Sequence, residues 1–167
     1  MPNTSFEPGE SVDVSGLTPV FNGRAASTSV KPGLLLKPST GTYSNGYDVA
    51  DAAYGDSNTN EGFIYQCAIP AIHKRSTTAW DKTTAFQAGD AIPVIKHEQG
   101  NTYWLKGSSL TVTKGDKIIV ANNGLAEKQT AHTSTPLPHH TWIAFKSYTS
   151  ATWIKATYIG ITSMFIA

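Results

Sequence analysis

The chain predicts an all-β fold: a small antiparallel β-barrel or sandwich with an extended N-terminal arm and long loops. Three observations carry that expectation. The first is a phrase that occurs three times, a polar lead-in and a glycine followed by apolar residues: Val30-Lys31-Pro32-Gly33-Leu34-Leu35-Leu36, Phe86-Gln87-Ala88-Gly89-Asp90-Ala91-Ile92-Pro93-Val94 and Val112-Thr113-Lys114-Gly115-Asp116-Lys117-Ile118-Ile119-Val120. Each copy runs on to a second turn signal, Ser39-Thr40-Gly41, Glu98-Gln99-Gly100 and Asn122-Asn123-Gly124. Glycine turns that feed short apolar strands and close on Asn-Gly-type turns are the grammar of an antiparallel sheet. The second is composition: Thr and Ser are abundant, Gly (14) and Pro (9) are frequent, and Glu, Leu and Arg are scarce, a balance that favours strands and loops over helices. The third is periodicity, since no segment keeps a helical repeat beyond two turns.

Taken in order, residues 1–29 are broken up by Pro2, Pro8, Gly9, Gly16, Pro19 and Gly23 and read as an extended arm. Its apolar residues Val12, Val14, Leu17, Val20 and Phe21 favour an arm docked on a neighbour over a free tail. The β-domain spans 30–167. Its first strand is Val30–Leu36, followed by a hairpin tip at Thr42–Tyr47 and an exposed loop at Gly55–Gly62. A strand over residues 63–70 holds the sole cysteine, Cys67, read as a small buried hydrophobe with no disulfide partner. Residues 76–84 are loop around Trp80. Strands follow at Ala91–Lys96, Thr102–Lys106, Ser109–Val112 and Lys117–Ala121, with Gly107-Ser108-Ser109 as a turn. A Thr- and Pro-rich loop, Thr130–Pro138, precedes a strand at His140–Ser147. Thr152–Ile159 and Ile161–Ala167 close the chain on either side of Gly160. Along Thr102–Lys106 the residues alternate, Trp104 on one face and Tyr103 and Leu105 on the other.

With 167 residues the chain is long enough to bury a core as one domain. Its net charge of +1 and charged fraction of 15% lack the basic stripe of a nucleic-acid binder. There is no secretory signal and no apolar run long enough to cross a bilayer, so synthesis in the cytosol is expected, with neither a nucleic acid nor a membrane as partner.

The run Lys114-Gly115-Asp116-Lys117-Ile118-Ile119-Val120, followed by Asn122-Asn123-Gly124-Leu125-Ala126-Glu127 and later by Tyr158-Ile159-Gly160-Ile161, resembles the core of the tailed-bacteriophage capsid decoration (head cement) proteins. Val30-Lys31-Pro32-Gly33-Leu34 resembles the opening strand of the same small barrel. The resemblance covers residues 30–162, and the region 42–85 has no counterpart and reads as an insertion or a second lobe. It implies a virion structural protein on the outer capsid surface, made in the host cytoplasm. Such a protein would bind the major capsid protein and neighbouring copies of itself as a homo-oligomer, without catalysis or cofactor. Interface anchors would come from Tyr43, Tyr47, Tyr54, Trp80, Tyr103, Trp104, Trp142 and Trp153, although most of these also suit the domain's own core. On this reading, deletion of residues 1–25 leaves a folded domain that attaches more weakly.

Enzymatic and metal-binding readings find little support. His132, His139 and His140 cluster, but adjacent residues in a strand point to opposite faces, and neither carboxylate nor cysteine is near to complete a metal shell. Asp13, Asp48, Asp51, Asp56 and Glu61 show no calcium-loop spacing. Nucleophile-elbow, phosphate-loop and zinc-protease motifs are missing. No catalytic, cofactor or metal residue is therefore assigned. An enzyme would need two of Asp90, Asp116, His97 and His132 to meet in one cleft. The alternative to a virion protein is a carbohydrate- or receptor-binding β-module, which would present Trp104 and Trp153 as a platform on an exposed sheet face.

Overall fold

The computed structural model describes residues 20–26, 29–39, 47–51, 64–68, 75, 77, 83–130 and 138–163. Their strands are β1 (Val20–Ala25), β2 (Leu35–Pro38), β3 (Tyr47–Asp51), β4 (Tyr65–Cys67), β5 (Ala91–Lys96), β6 (Thr102–Val112), β7 (Lys117–Val120), β8 (Ala126–Lys128), β9 (Pro138–Ala144) and β10 (Tyr148–Ser163), with one 3-10 turn at Asn122–Gly124. The fold is all-β, and the strands form two five-stranded rings in place of one. The first runs β1-β3-β2-β4-β5 and returns to β1; the second, β10-β6-β8-β7-β9, curls back on itself. One bridge, Gly107 to Ala126 between β6 and β8, closes the second ring. Each ring contains one parallel pair, β1/β3 and β6/β8, among antiparallel ones.

Part of the stretch expected as an N-terminal arm is a strand of the first barrel. Residues 20–25 form β1, which hydrogen-bonds to β5 over Val20–Arg24 and to β3 over Gly23–Ala25. A cut after residue 25 would therefore remove a stave of the first barrel. The rest of the predicted arm, residues 1–19, lies outside the described residues, as do the 42–46 hairpin tip, the 55–62 loop, Tyr54 and Trp80. Two further expectations change. Gly107-Ser108-Ser109 is not a turn but a bulge inside β6, with Ser109 at φ 57. Facing it, β10 shifts register on either side of Ala151, with Ser150 at φ 48. Gly160 (φ 94) likewise does not end a strand, because it takes up the register shift between Tyr158 and its neighbour. An extra residue on one strand bends and twists the ladder without breaking it, so β10 continues for 16 residues.

Period-two alternation in the first barrel serves two cores at once. Leu34, Leu36, Tyr65, Cys67, Ile92 and Val94 point inward and pack with Ala25, Val30 and Phe86. The intervening residues Leu35, Ile64 and Ile95, all fully buried, point the other way and join the core of the second barrel beside Tyr103, Leu105, Ile118, Trp142 and Ile154. The two barrels thus share one apolar seam. Each Leu or Ile buried there contributes roughly 1.5–3 kcal/mol relative to exposure. Two glycines let the barrels approach. A Cβ on Gly33 would lie 2.1 Å from the Trp153 ring, and one on Gly124 would lie 2.5 Å from the Leu35 carbonyl oxygen. Both glycines also hold positive φ, 88° and 71°, which penalises any side chain there.

Candidate functional site

The polar groups buried at the seam form one chain of hydrogen bonds centred on His97, in the link between β5 and β6. Trp142 Nε1 donates to His97 Nδ1 at 3.0 Å. An indole N–H only donates, so Nδ1 is an acceptor and the imidazole is neutral with its proton on Nε2. Nε2–H then donates to Gln66 Oε1 at 3.1 Å. The Gln66 amide nitrogen donates in turn to the Gly33 carbonyl at 3.1 Å and the Trp104 carbonyl at 2.7 Å. Burial, with a smaller contribution from nearby His140, holds the His97 imidazole well below its usual range. This matches the neutral state that the bonds require. The Tyr103 ring stacks on His97 at 3.7 Å and 8°, and its hydroxyl accepts the Glu98 amide at 2.8 Å. β4 and the turn before β2 in the first barrel, the link, and β6 and β9 of the second barrel are tied in a fully bonded network, which specifies one docking geometry.

A second buried pair lies deeper in the second barrel. His140 Nδ1 and the Tyr158 hydroxyl are 2.5 Å apart. Burial pushes the Tyr158 phenol up to about 12, and burial followed by His139 brings His140 down to about 4. Both groups are therefore neutral near pH 7.

The residues singled out from the sequence fall as follows. His139 and His140 are buried in β9 and do not sit in an exposed loop. His140 shares the inward phase of Trp142 and Ala144, whereas His139 is buried on the opposite face of β9. Asp90 receives a two-pronged bond from Arg75, Nε to Oδ2 and Nη2 to Oδ1, both 2.9 Å. Asp116 closes its turn by accepting the Thr113 amide at 2.7 Å and pairs with Lys128 at 2.6 Å. His97, Asp90 and Asp116 are thus held by different partners in different parts of the fold, and His132 lies outside the described residues. Among the described residues no group of three His, Cys, Asp or Glu converges on a metal position. Cys67 is buried in the first core, and Gly33, Gly89, Gly115 and Gly124 all occupy positive φ at turns.

Trp104 and Trp153 do share the outer face of the second barrel, because Trp104 pairs with Lys155 and Lys106 with Trp153 across the β6/β10 ladder. They sit diagonally and half-buried, Trp153 against Gly33 with Lys106 Nζ 5.8 Å from its ring centre. Beside them the seam opens into a groove of about 570 Å³ lined by Ser29, Lys31, Leu34, Ala85, Lys106, Asn123 and Leu125. Sequence reasoning missed the His97–Gln66–Trp142 network, since its members are separated by 31 and 45 positions and nothing local marks them.

No protein-family model matches the chain, and no curated protein matches it in sequence. Its fold does match a solved one: the crystal structure of the N base of head fiber gp8.5 in bacteriophage phi29. The likeness covers 90% of this chain and all of that one, with a TM-score of 0.50 and 15% identity. At that identity the two share a fold.

Proposed function

We propose that this chain is a structural protein of a bacteriophage virion. It sits on the outer surface of the head, binds the major capsid protein, contacts neighbouring copies of itself and stabilises the shell as a decoration protein. The observation that carries this reading is the fold. The two-barrel arrangement corresponds over 90% of its length to the base of a phage head fiber protein, and the glycine-turn pattern of residues 30–162 resembles head cement proteins. The chemistry agrees with a mechanical role. The buried polar side chains around His97 satisfy one another and lock the two barrels together, as a load-bearing part requires.

Cosedimentation of the purified protein with capsids that lack it tests the reading. Saturable binding at a fixed ratio to coat subunits is expected, and the absence of sedimentation with shells would refute it. The arm component is tested in the same assay with residues 1–19 removed, which leaves β1 in place. That truncation should stay folded and attach more weakly; equal attachment would show that the segment takes no part.

A further inference from the structure

The outer face of the second barrel also carries aromatic and lysine side chains whose order follows from strand register. Lys117 of β7 pairs with Ile143 of β9, and these lie on one face. Two residues on, past the end of β9, the Phe145 amide donates to the Lys155 carbonyl of β10 at 2.9 Å. Ile143 and Phe145 share a face because side chains alternate along an extended strand. Lys155 Nζ stands 5.3 Å from the Phe145 ring centre. At the same edge Lys146 Nζ lies 5.2 Å from the Tyr148 ring, and the Lys114 amide donates to Ser147 Oγ at 2.9 Å, which brings the 113–116 turn alongside.

Two properties set this face apart. Phe145 is 55% exposed, a large apolar ring presented to solvent, whereas Phe86 is buried. The charge is also one-sided. Lys114, Lys117 and Lys146 are exposed and Lys155 is half-exposed, while the nearby carboxylate of Asp116 is engaged by Lys128 and the Thr113 amide. The whole chain has a net charge of only +1, so this is a local concentration of positive charge. A lone exposed phenylalanine or lysine needs no explanation. An exposed ring with one lysine over it and three more on the adjoining strand and turns is the arrangement of an interface anchor with a complementary rim.

We infer that the face formed by Ile143, Phe145 and the surrounding lysines 114, 117, 146 and 155 is the docking surface for an acidic protein partner, one that offers an apolar socket for Phe145 rimmed by carboxylates. Resting on the function proposed above, that partner is the outer surface of the capsid shell.

The test measures cosedimentation with shells for the full chain, for Phe145→Ser, for the triple reversal Lys114→Glu/Lys117→Glu/Lys146→Glu, and for Ile161→Ser. Ile161 is another exposed apolar residue, 44% accessible, paired with His140 towards the other end of the β9/β10 ladder. All altered positions are exposed, and circular dichroism with thermal melting verifies folding. Phe145→Ser should weaken binding by about tenfold or more, and the triple reversal should abolish it. Ile161→Ser should change nothing, and wild-type binding should fall as salt rises from about 50 to about 300 mM. If the wild type fails to bind shells, the functional reading falls and this assignment with it. If the wild type binds and the face variants bind equally well, only this assignment falls. If the variants instead dissociate an oligomer of the free protein and keep their shell affinity, the face is a contact between copies and the capsid assignment is overturned.

Discussion

The first and second barrels use the same alternating pattern and reach closure by different routes. No strand of the first exceeds six residues, and β4 has three. Its ring is assembled from segments far apart in sequence, with β1 meeting β5 across some seventy positions, Val20 against Ile95. The second is organised by two long strands, β6 of 11 and β10 of 16 residues, that pair along much of their length. Its core is also larger, and part of that core, Leu35, Ile64 and Ile95, is supplied by the first barrel. The contrast shows a division of labour. The second barrel is a body held by its own ladder, and the first is held in shape partly by docking on it, through shared apolar residues and the His97 network.

Trp142→Ala strikes the shared element hardest. It empties a fully buried site and leaves His97 Nδ1 without its donor. A loss of about 3–5 kcal/mol is expected in chemical denaturation. A loss below about 1 kcal/mol would mean that the seam is not where the stability lies.

Acid should act next. His140 has its ordinary 6.5 when unfolded and about 4 when folded. Between those values the unfolded chain takes up a proton that the folded one refuses, so stability present above pH 6.5 is lost as pH falls towards 4. The loss is about 3 kcal/mol from this group, and His97, shifted in the same direction, adds to it. A denaturation midpoint that does not move between pH 7 and 4.5 would contradict the buried neutral histidines.

Gln66→Leu gives the finest discrimination. It keeps the bulk but orphans the Gly33 and Trp104 carbonyls and the His97 Nε2–H, at a cost of about 2 kcal/mol. Amide hydrogen exchange should then speed up in β1–β5 while the β6/β10 ladder stays protected. Equal acceleration in both would erase the distinction between a self-sufficient barrel and a docked one.

Much of the second barrel was legible because its signals are local. Gly115-Asp116 opens β7, Asn122-Asn123-Gly124 closes it, and the alternation of Tyr103 and Leu105 against Trp104 marks β6. Errors arose where one residue type has two uses. The glycines at 107 and 160 read as strand breaks, but in a strongly twisted ladder such residues also absorb register shifts and let a strand continue. β1 was hidden because Val20-Phe21-Asn22-Gly23-Arg24-Ala25 has little periodicity of its own and becomes a strand through its pairing with β3 and β5. The docking face was equally obscure, since Phe145 looked like one more apolar residue in a strand, and only its place beside Lys155, out of phase with the core residues Ala144 and Ala156, sets it outside.

By itself the sequence determined that this protein is built of β-strands, where its glycine turns lie, and that its cysteine serves packing. Those properties follow from φ preferences and from the two-residue period of a strand, which act over neighbouring positions. The tertiary structure decided that the strands close into two rings, that Leu35, Ile64 and Ile95 belong to the other ring's core, and that His97 is a neutral link between Gln66 and Trp142. Those outcomes depend on register and on contacts between residues tens of positions apart, where the same alternation fits more than one partner until the whole core is packed.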